Sequence, residues 1–224
     1  MYIALEIIRF IINAFIITTL VDIVLMGPVF PRFEKRAKCA KFFVTPKAET
    51  VKTEKGTYFE FQGEGGCAGF SSAFILRHMG EAARGDEIFK EVPYTYGKGI
   101  AFPKGITGFF KKRGIRMKAC VGNLAALQNE LARGNPVIVV IRSFVGKSFL
   151  HFACITGYDE ENIYFADSIK DWVNVDAAKK GEPEGDELYY NRIVPLTEFK
   201  KLWNTSMLKM PLYFNIFYVM EIQH

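Results

Sequence analysis

The sequence contains few of the residues that most often form metal and nucleophile sites. Among 224 residues there are four cysteines and three histidines. The cysteines show no CxxC spacing, so a zinc site is not expected. We expect neither a metal ion nor a cofactor, and we expect free thiols. A disulfide remains the alternative, since the cellular compartment is unknown.

The sequence also lacks a large excess of either sign of charge. It has 29 basic and 24 acidic residues, which gives a net charge of +5. No stripe of Lys and Arg alternates with aromatic residues, so nucleic acid is not an expected partner. Half of the residues are hydrophobic and 15% are aromatic. A chain of this length and composition can bury the core of one folded domain.

One long hydrophobic run is present, from Phe10 to Phe30, and Asp22 is its only charged residue. As a helix rising ~1.5 Å per residue, the run would span the ~30 Å of a bilayer's hydrocarbon core. We therefore predict a single-pass membrane anchor over residues 1–31. The alternatives are a cleaved signal segment and a helix packed against protein, which Asp22 favours.

A basic flank and linker over residues 32–57 follow the run. Five Lys and Arg residues lie between positions 32 and 41, whereas only Arg9 precedes the run. The positive-inside rule would keep this flank, and the domain behind it, in the cytoplasm. A cleaved signal would place the domain outside the cell, so its side of the membrane stays open.

Residues 58–224 form the predicted folded domain. Apolar residues at helical spacing predict a helix that begins at Cys67 and ends at Gly80. A second helix is predicted after Asn123, whose side chain can cap it. Strand-like segments come later, at 137–142, 149–159, 162–168 and 211–222. Helices early and strands late predict an α+β fold, an N-terminal helical lobe packed on an antiparallel sheet. We also expect a short strand at 58–62, a surface loop at 174–187, and a short helix capped by Thr197.

Cys67 is the candidate nucleophile. It stands at the predicted first turn of a helix, where the positive end of the helix dipole favours a thiolate. Gly65 and Gly66 allow a tight turn and a close approach of substrate. The alternative is a small buried residue in a glycine turn. Ser71 and Ser72 lie inside the helix without the sharp elbow of a serine hydrolase.

His151 is the candidate base. His78 lies eleven residues after Cys67 on the same helix, ~16 Å along its axis and beyond hydrogen-bond reach. His224 is the last residue and is expected to fray. His151 is thus the remaining partner for a thiol, although a histidine within a strand is more often structural.

Asp167 is the candidate for orienting the imidazole. It has the same parity as His151, so the two share a face of the predicted hairpin if the connecting loop is odd in length. Asp159 and Asn162 remain alternatives, though both resemble turn residues. Gln62, five residues before Cys67, could supply an amide N–H to an oxyanion together with the Cys67 N–H.

These motifs resemble papain-like cysteine peptidases of the bacteriocin-leader-processing, or double-glycine, family and its stand-alone relatives. The resemblance covers roughly residues 58–204. It implies a papain-like fold with an oxyanion glutamine at Gln62, a nucleophile at Cys67, a base at His151 and an orienting Asp167. Relatives usually carry Cys-Gly and Asp-Pro, whereas alanine and serine follow here. No P-loop or multi-span segment of a fused transporter is present.

The sequence thus predicts a membrane-anchored cysteine peptidase that takes a peptide or protein substrate. Two other functions stay open: a peptide-binding module that does not cut, and acyl transfer to an amine.

Overall fold

The fold is described from a computed structural model that covers the following residues: 2–26, 49–53, 59–63, 65–97, 99–142, 150–170, 190–205 and 214–220. The predicted surface loop at 174–187 lies outside them, as do Cys39 and His224.

Six helices and nine strands are described. The helices are α1 (Tyr2–Met26), α2 (Cys67–His78), α3 (Gly85–Glu91), α4 (Pro103–Lys112), α5 (Leu124–Leu131) and α6 (Leu196–Trp203). The strands are β1 (Val51–Lys52), β2 (Thr95–Tyr96), β3 (Ile100–Ala101), β4 (Met117–Val121), β5 (Val137–Arg142), β6 (Leu150–Tyr158), β7 (Asn162–Ala166), β8 (Arg192–Pro195) and β9 (Ile216–Met220).

Seven of these strands form one antiparallel sheet. Six of them follow the order β4-β9-β5-β6-β7-β8, and the seventh, β1, pairs with the C-terminal end of β6. The two short strands β2 and β3 pair with each other. The predicted α+β class with an antiparallel sheet is confirmed. β1 lies within the segment 32–57 that we expected to be a flank and linker, so part of that segment joins the sheet.

Helices cover both faces of the sheet. On one face α2, α3 and α4 pack in a core with side chains such as Phe152 and Tyr218. On the other face α5 and α6 form a second core with side chains such as Phe165 and Phe217. Strands that are buried on both sides need no polar face, which explains the unbroken apolar run of β5. The expected helical lobe therefore accounts for one of two helical layers.

Helix α2 is held on β6 by polar contacts as well as by apolar packing. The Ser71 hydroxyl donates to the Phe152 carbonyl at 2.9 Å, and the Cys154 thiol donates to the Ser71 carbonyl at 3.3 Å. These buried bonds fix how far α2 slides along the strand. They therefore fix the position of the helix start relative to the first residues of β6.

Glycine lets α2 and α3 approach closely. A Cβ on Gly69 would stand 2.4 Å from the Gly85 carbonyl oxygen and 2.6 Å from the Phe89 nitrogen. Because both contacts are with backbone, no larger residue fits without moving a helix.

The β6–β7 hairpin decides which side chains share a face. The Asp159 N–H donates to the Asn162 carbonyl, so residues 160 and 161 form the turn, and the loop is not odd in length. Next to this turn Tyr158 pairs with Ile163, so residues of opposite parity face each other. A β-bulge in β6 then shifts the register by one residue, and beyond it residues of equal parity face each other. The bulge, and not the turn alone, therefore brings His151 and Asp167 onto one face.

Several predicted element ends are confirmed. The Asn123 side chain accepts from the Ala126 N–H at 2.9 Å and caps α5, and Gly80 and Gly134 follow helices with φ near +90° and +83°. Two predictions are wrong. Residues 59–62 form no regular strand, since their contacts are with α2 and the end of β7. The short helix begins at Leu196, so Thr197 lies inside it and is not a cap.

Helix α1 carries many exposed apolar side chains, for example Ile3 (76% exposed) and Phe10 (74% exposed). Among the residues that the structure describes, no helix is both long enough and apolar enough to traverse a bilayer. The expected anchor runs on past Met26, outside the described residues, and it stays a prediction.

Candidate active site

Cys67 is the first residue of α2, as the sequence predicts. Gly65 and Gly66 precede it with φ of +85° and +88°, a left-handed conformation that glycine adopts without strain. The Gly66 N–H donates to the Gly99 carbonyl at 3.1 Å, and a Cβ on Gly65 would stand 2.5 Å from the Gly99 Cα. The loop around Gly99 thus holds the turn that delivers Cys67, whose side chain remains partly exposed.

His151, the second residue of β6, reaches this helix start. It is 2% exposed, and its ring forms a hydrogen bond with Cys67. Its Nε2 lies 2.9 Å from Oδ1 of Asp167. With Nε2 engaged by the carboxylate, Nδ1 is the ring nitrogen that remains for the hydrogen bond with the thiol.

Asp167 follows the last residue of β7, and its carboxylate and backbone groups all form hydrogen bonds. The guanidinium of Arg192 donates to Oδ2 at 2.8 Å, and the Ile169 N–H donates to Oδ1 at 3.0 Å. The Asn191 side chain accepts from the Asp167 N–H at 2.8 Å and donates to its carbonyl at 2.7 Å. Both carboxylate oxygens and both backbone polar groups of Asp167 are therefore satisfied.

Gln62 also lies next to this strand end. Its N–H donates to the Ser168 carbonyl at 2.8 Å, and its Oε1 accepts from the Ser168 hydroxyl at 2.7 Å. Two residues earlier, the Glu60 carboxylate accepts from Arg77 of α2 at 2.7 Å and from the Gly85 N–H at 2.8 Å. The segment before the glycine turn is thus tied both to α2 and to the end of β7.

The electrostatics of the site favour a charged pair. Burial by itself would raise the pKa of the Cys67 thiol, but the hydrogen bond and charge of His151 and the N–H groups of Phe152 and Ala68 lower it below its ordinary 9.0. Burial by itself would lower the pKa of His151, but the charge and hydrogen bond of Asp167, with those of Cys67, raise it to about 9. These mutual effects favour a thiolate beside an imidazolium.

Asp167 remains a carboxylate in this setting. Burial would raise its pKa, but the charge and hydrogen bond of His151, followed by Arg192 and the Ile169 N–H, lower it to about 2. A buried carboxylate stays ionised only when such partners replace water.

The other candidates from the sequence have structural contacts. Asp159 accepts from the N–H groups of Glu161 and Asn162 and from the Tyr164 hydroxyl, as a turn residue does. His78 lies at the far end of α2, with Nε2 3.1 Å from the Gly134 carbonyl oxygen. The structure therefore brings Cys67, His151 and Asp167 into contact and holds Gln62 against Ser168, and it leaves these alternatives elsewhere.

Sequence reasoning did not find Asn191, Arg192 or Ser168. Asn191 lies just before β8, and Arg192 is the first residue of that strand. β8 pairs with β7, and the chain between the two strands is long. No spacing rule links such distant positions. The one available signal was the Asp-Ser pair itself, where relatives usually carry Asp-Pro.

Cys67 is absent from the lining of three cavities that described residues form. A cavity of about 650 Å³ lies between α4 and β4 and is lined by none of the four candidate residues. Beside Asp167 and Ser168 there is a cavity of only about 10 Å³.

Residues 53–204 match the model of a family described as "Peptidase_C39 like family". The structure is similar to one described as a C39-like peptidase from Bacillus anthracis, with a TM-score of 0.54 and 14% identity over 79% of this chain and 99% of that chain. It is also similar to a double glycine motif protease from an AMS/PCAT transporter in complex with the leader peptide, with a TM-score of 0.44 and 12% identity over 78% and 98% of the two chains. No curated protein sequence matches the chain. At such identities the likeness between structures concerns the fold alone.

The charged pair predicts an unusual pH profile for the reactivity of Cys67. Alkylation by iodoacetamide, followed on the peptide that carries Cys67, should reach half its maximal rate below pH 9, because His151 lowers the thiol pKa. In His151→Gln the thiol loses the charge of the imidazolium, and of the causes named above only burial, which raises its pKa, and the two N–H groups, which lower it, remain. The pH at which alkylation is half-maximal should therefore move upward. A wild-type midpoint at or above pH 9 would contradict the charged pair.

Arg192 should matter for stability more than an exposed arginine does. In Arg192→Met the buried Asp167 loses one of its two cationic partners, and we expect the free energy of unfolding to fall by about 3–5 kcal/mol. Arg113→Met is the matched control, since Arg113 pairs with Glu91 at the surface and should cost less than about 1 kcal/mol. Urea denaturation of the full chain measures both variants, and equal losses would argue against the buried role.

Proposed function

Because the chain belongs to the Peptidase_C39 like family, as its motifs predict, we propose that it is a cysteine peptidase that hydrolyses a peptide bond. The observation that carries the proposal is the continuous contact from Cys67 through His151 to Asp167. A thiol with a lowered pKa, a base within hydrogen-bond reach and a group that orients the base are what nucleophilic catalysis by cysteine requires.

In the first half of the reaction, the Cys67 thiolate attacks the carbonyl carbon of the scissile bond. The carbonyl oxygen becomes an oxyanion, which the Cys67 N–H and the Gln62 side-chain amide would stabilise. The C–N bond then breaks, and the His151 imidazolium gives its proton to the leaving amine. The products of this half are a free amine and a thioester on Cys67.

In the second half, His151 is neutral and acts as the base. It takes a proton from a water molecule, whose oxygen attacks the thioester carbonyl. The C–S bond breaks, the acyl group leaves as a carboxylic acid, and the thiolate–imidazolium pair is restored. Asp167 stays ionised throughout and keeps the imidazole in one orientation and tautomer.

The arrangement also separates Cys67 from the other described thiols. Cys154 is fully buried, and burial raises the pKa of its thiol far above the ordinary value. A neutral thiol is a poor nucleophile. Cys154→Ser is therefore a control that removes a neighbouring thiol but keeps a donor for the Ser71 carbonyl, the bond that helps to place α2 on β6.

We expect Cys67→Ala and His151→Ala to abolish peptide hydrolysis, with Cys154→Ser retaining activity close to the wild type. The measurement is mass spectrometry of a mixed peptide library incubated with the full chain in mild detergent, with a peptidyl vinyl sulfone as a covalent label of Cys67. Hydrolysis that persists in Cys67→Ala would refute the mechanism. Labelling and peptide binding without any turnover would instead favour the non-cutting binding module, and capture of the acyl group by added hydroxylamine alone would favour acyl transfer.

We further propose that residues 1–31 attach the domain to a membrane as a single-pass anchor. The exposed Ile and Phe side chains of α1 support this, since a continuous apolar surface in water is unfavourable. The full chain should stay with the membrane after carbonate extraction, whereas a variant that lacks residues 1–31, or carries Ile11→Arg with Ile16→Arg, should be released. Release of the full chain would argue for a helix covered by protein.

A further inference from the structure

Ser168 contacts Gln62 at two points. Its backbone carbonyl accepts from the Gln62 N–H at 2.8 Å, and its hydroxyl donates to Gln62 Oε1 at 2.7 Å. Ser168 is only 7% exposed, so the contact is sheltered from water. Both the backbone and the side chain of Gln62 are thus held by one residue.

We propose that Ser168 is a positioning residue that orients the Gln62 carboxamide, so that its Nε2 is directed to the oxyanion. This inference rests on the proposed peptidase function. It adds a residue that the triad and the oxyanion glutamine do not include.

The chemical reason lies in the symmetry of the amide group. A glutamine carboxamide has an oxygen and a nitrogen of similar size, and only the nitrogen can stabilise an oxyanion. A hydroxyl that donates to Oε1 occupies the acceptor end of the amide. Both hydrogens of Nε2 then remain for the substrate, and a donor fixed in advance needs no reorganisation during the reaction.

The position of Ser168 in the chain links two parts of the site. Its neighbour Asp167 accepts from His151, and the Asn191 amide holds the backbone of Asp167 on both sides. The pair Asp167–Ser168 therefore fixes the base through one residue and the oxyanion donor through the next. On the other side, the Glu60–Arg77 ion pair holds the segment that carries Gln62. A proline at position 168, as the resemblance would lead one to expect, could not donate this hydrogen bond.

The test compares Ser168→Ala and Ser168→Thr with the matched control Ser72→Ala. Ser72 is also a buried serine, but it lies in α2, and among the described residues no hydrogen bond joins it to Gln62. Three quantities are measured: kcat and KM for a cleaved peptide, the affinity of a peptide aldehyde that forms an oxyanion-like adduct with Cys67, and the rate of alkylation by iodoacetamide. For Ser168→Ala we expect kcat and aldehyde affinity to fall about tenfold, the effect of one lost hydrogen bond. KM and the alkylation rate should stay within about twofold, because neither depends on the oxyanion donor.

Ser168→Thr keeps the hydroxyl and should recover most of kcat, and Ser72→Ala should match the wild type. A double mutant tests whether Ser168 acts through Gln62. Gln62→Ala should lower kcat about 10²–10³-fold, and adding Ser168→Ala to it should cause no further loss.

An undiminished kcat and aldehyde affinity in Ser168→Ala, an equal loss of alkylation rate, or a full additional loss in the Gln62→Ala background would each overturn the inference. These outcomes are distinct from failure of the proposed function. In that case the wild type itself would cleave no peptide and bind no aldehyde through Cys67, and the inference would fall with it.

Discussion

The buried contact between His151 and Asp167 is the interaction on which the rest of the site depends. Removing a carboxylate and an imidazole from water is costly unless each polar atom finds a partner. Here His151 and the Ile169 N–H engage one oxygen of Asp167, and Arg192 engages the other. Arg192 and His151 thus share the carboxylate without competing for one atom, so His151 keeps the partner that raises its pKa. A break anywhere in this arrangement would leave a charge buried without compensation.

A second constraint determines whether the thiol can meet that imidazole. Helix α2 must stand at one height on β6, and the buried bonds of Ser71 and Cys154 to neighbouring backbone set this height. The close approach of α2 and α3 at Gly69 limits movement in the other direction. Residues with no part in the chemistry therefore determine the distance between nucleophile and base. Interiors packed this closely tolerate few shifts, which is how a site on two separate elements stays assembled.

Much of the fold could be predicted, because the elements carry strong local signals. Asn123 and Gly134 bracket α5, and the apolar run of β5 reads as a strand. The errors come where tertiary contacts replace local rules. The segment at 59–62 has strand-like residues but bonds to α2 and to Ser168 outside any regular strand. The second helical layer was also missed, since a sequence shows which residues are apolar but not how many elements will share one sheet.

The sequence by itself determined the chemistry that this protein could carry: one thiol at a glycine-led helix start, one histidine within reach, and an acid of matching parity on the next strand. These follow from residue type and spacing, which act over a few positions. Only the tertiary structure decided that the groups meet and that Arg192, Asn191 and Ser168 surround Asp167. It also decided that a bulge in β6 places His151 and Asp167 on the same face of the sheet. Such contacts join positions more than a hundred residues apart in the case of Gln62 and Ser168. They depend on how the sheet is ordered, and no local pattern encodes that order.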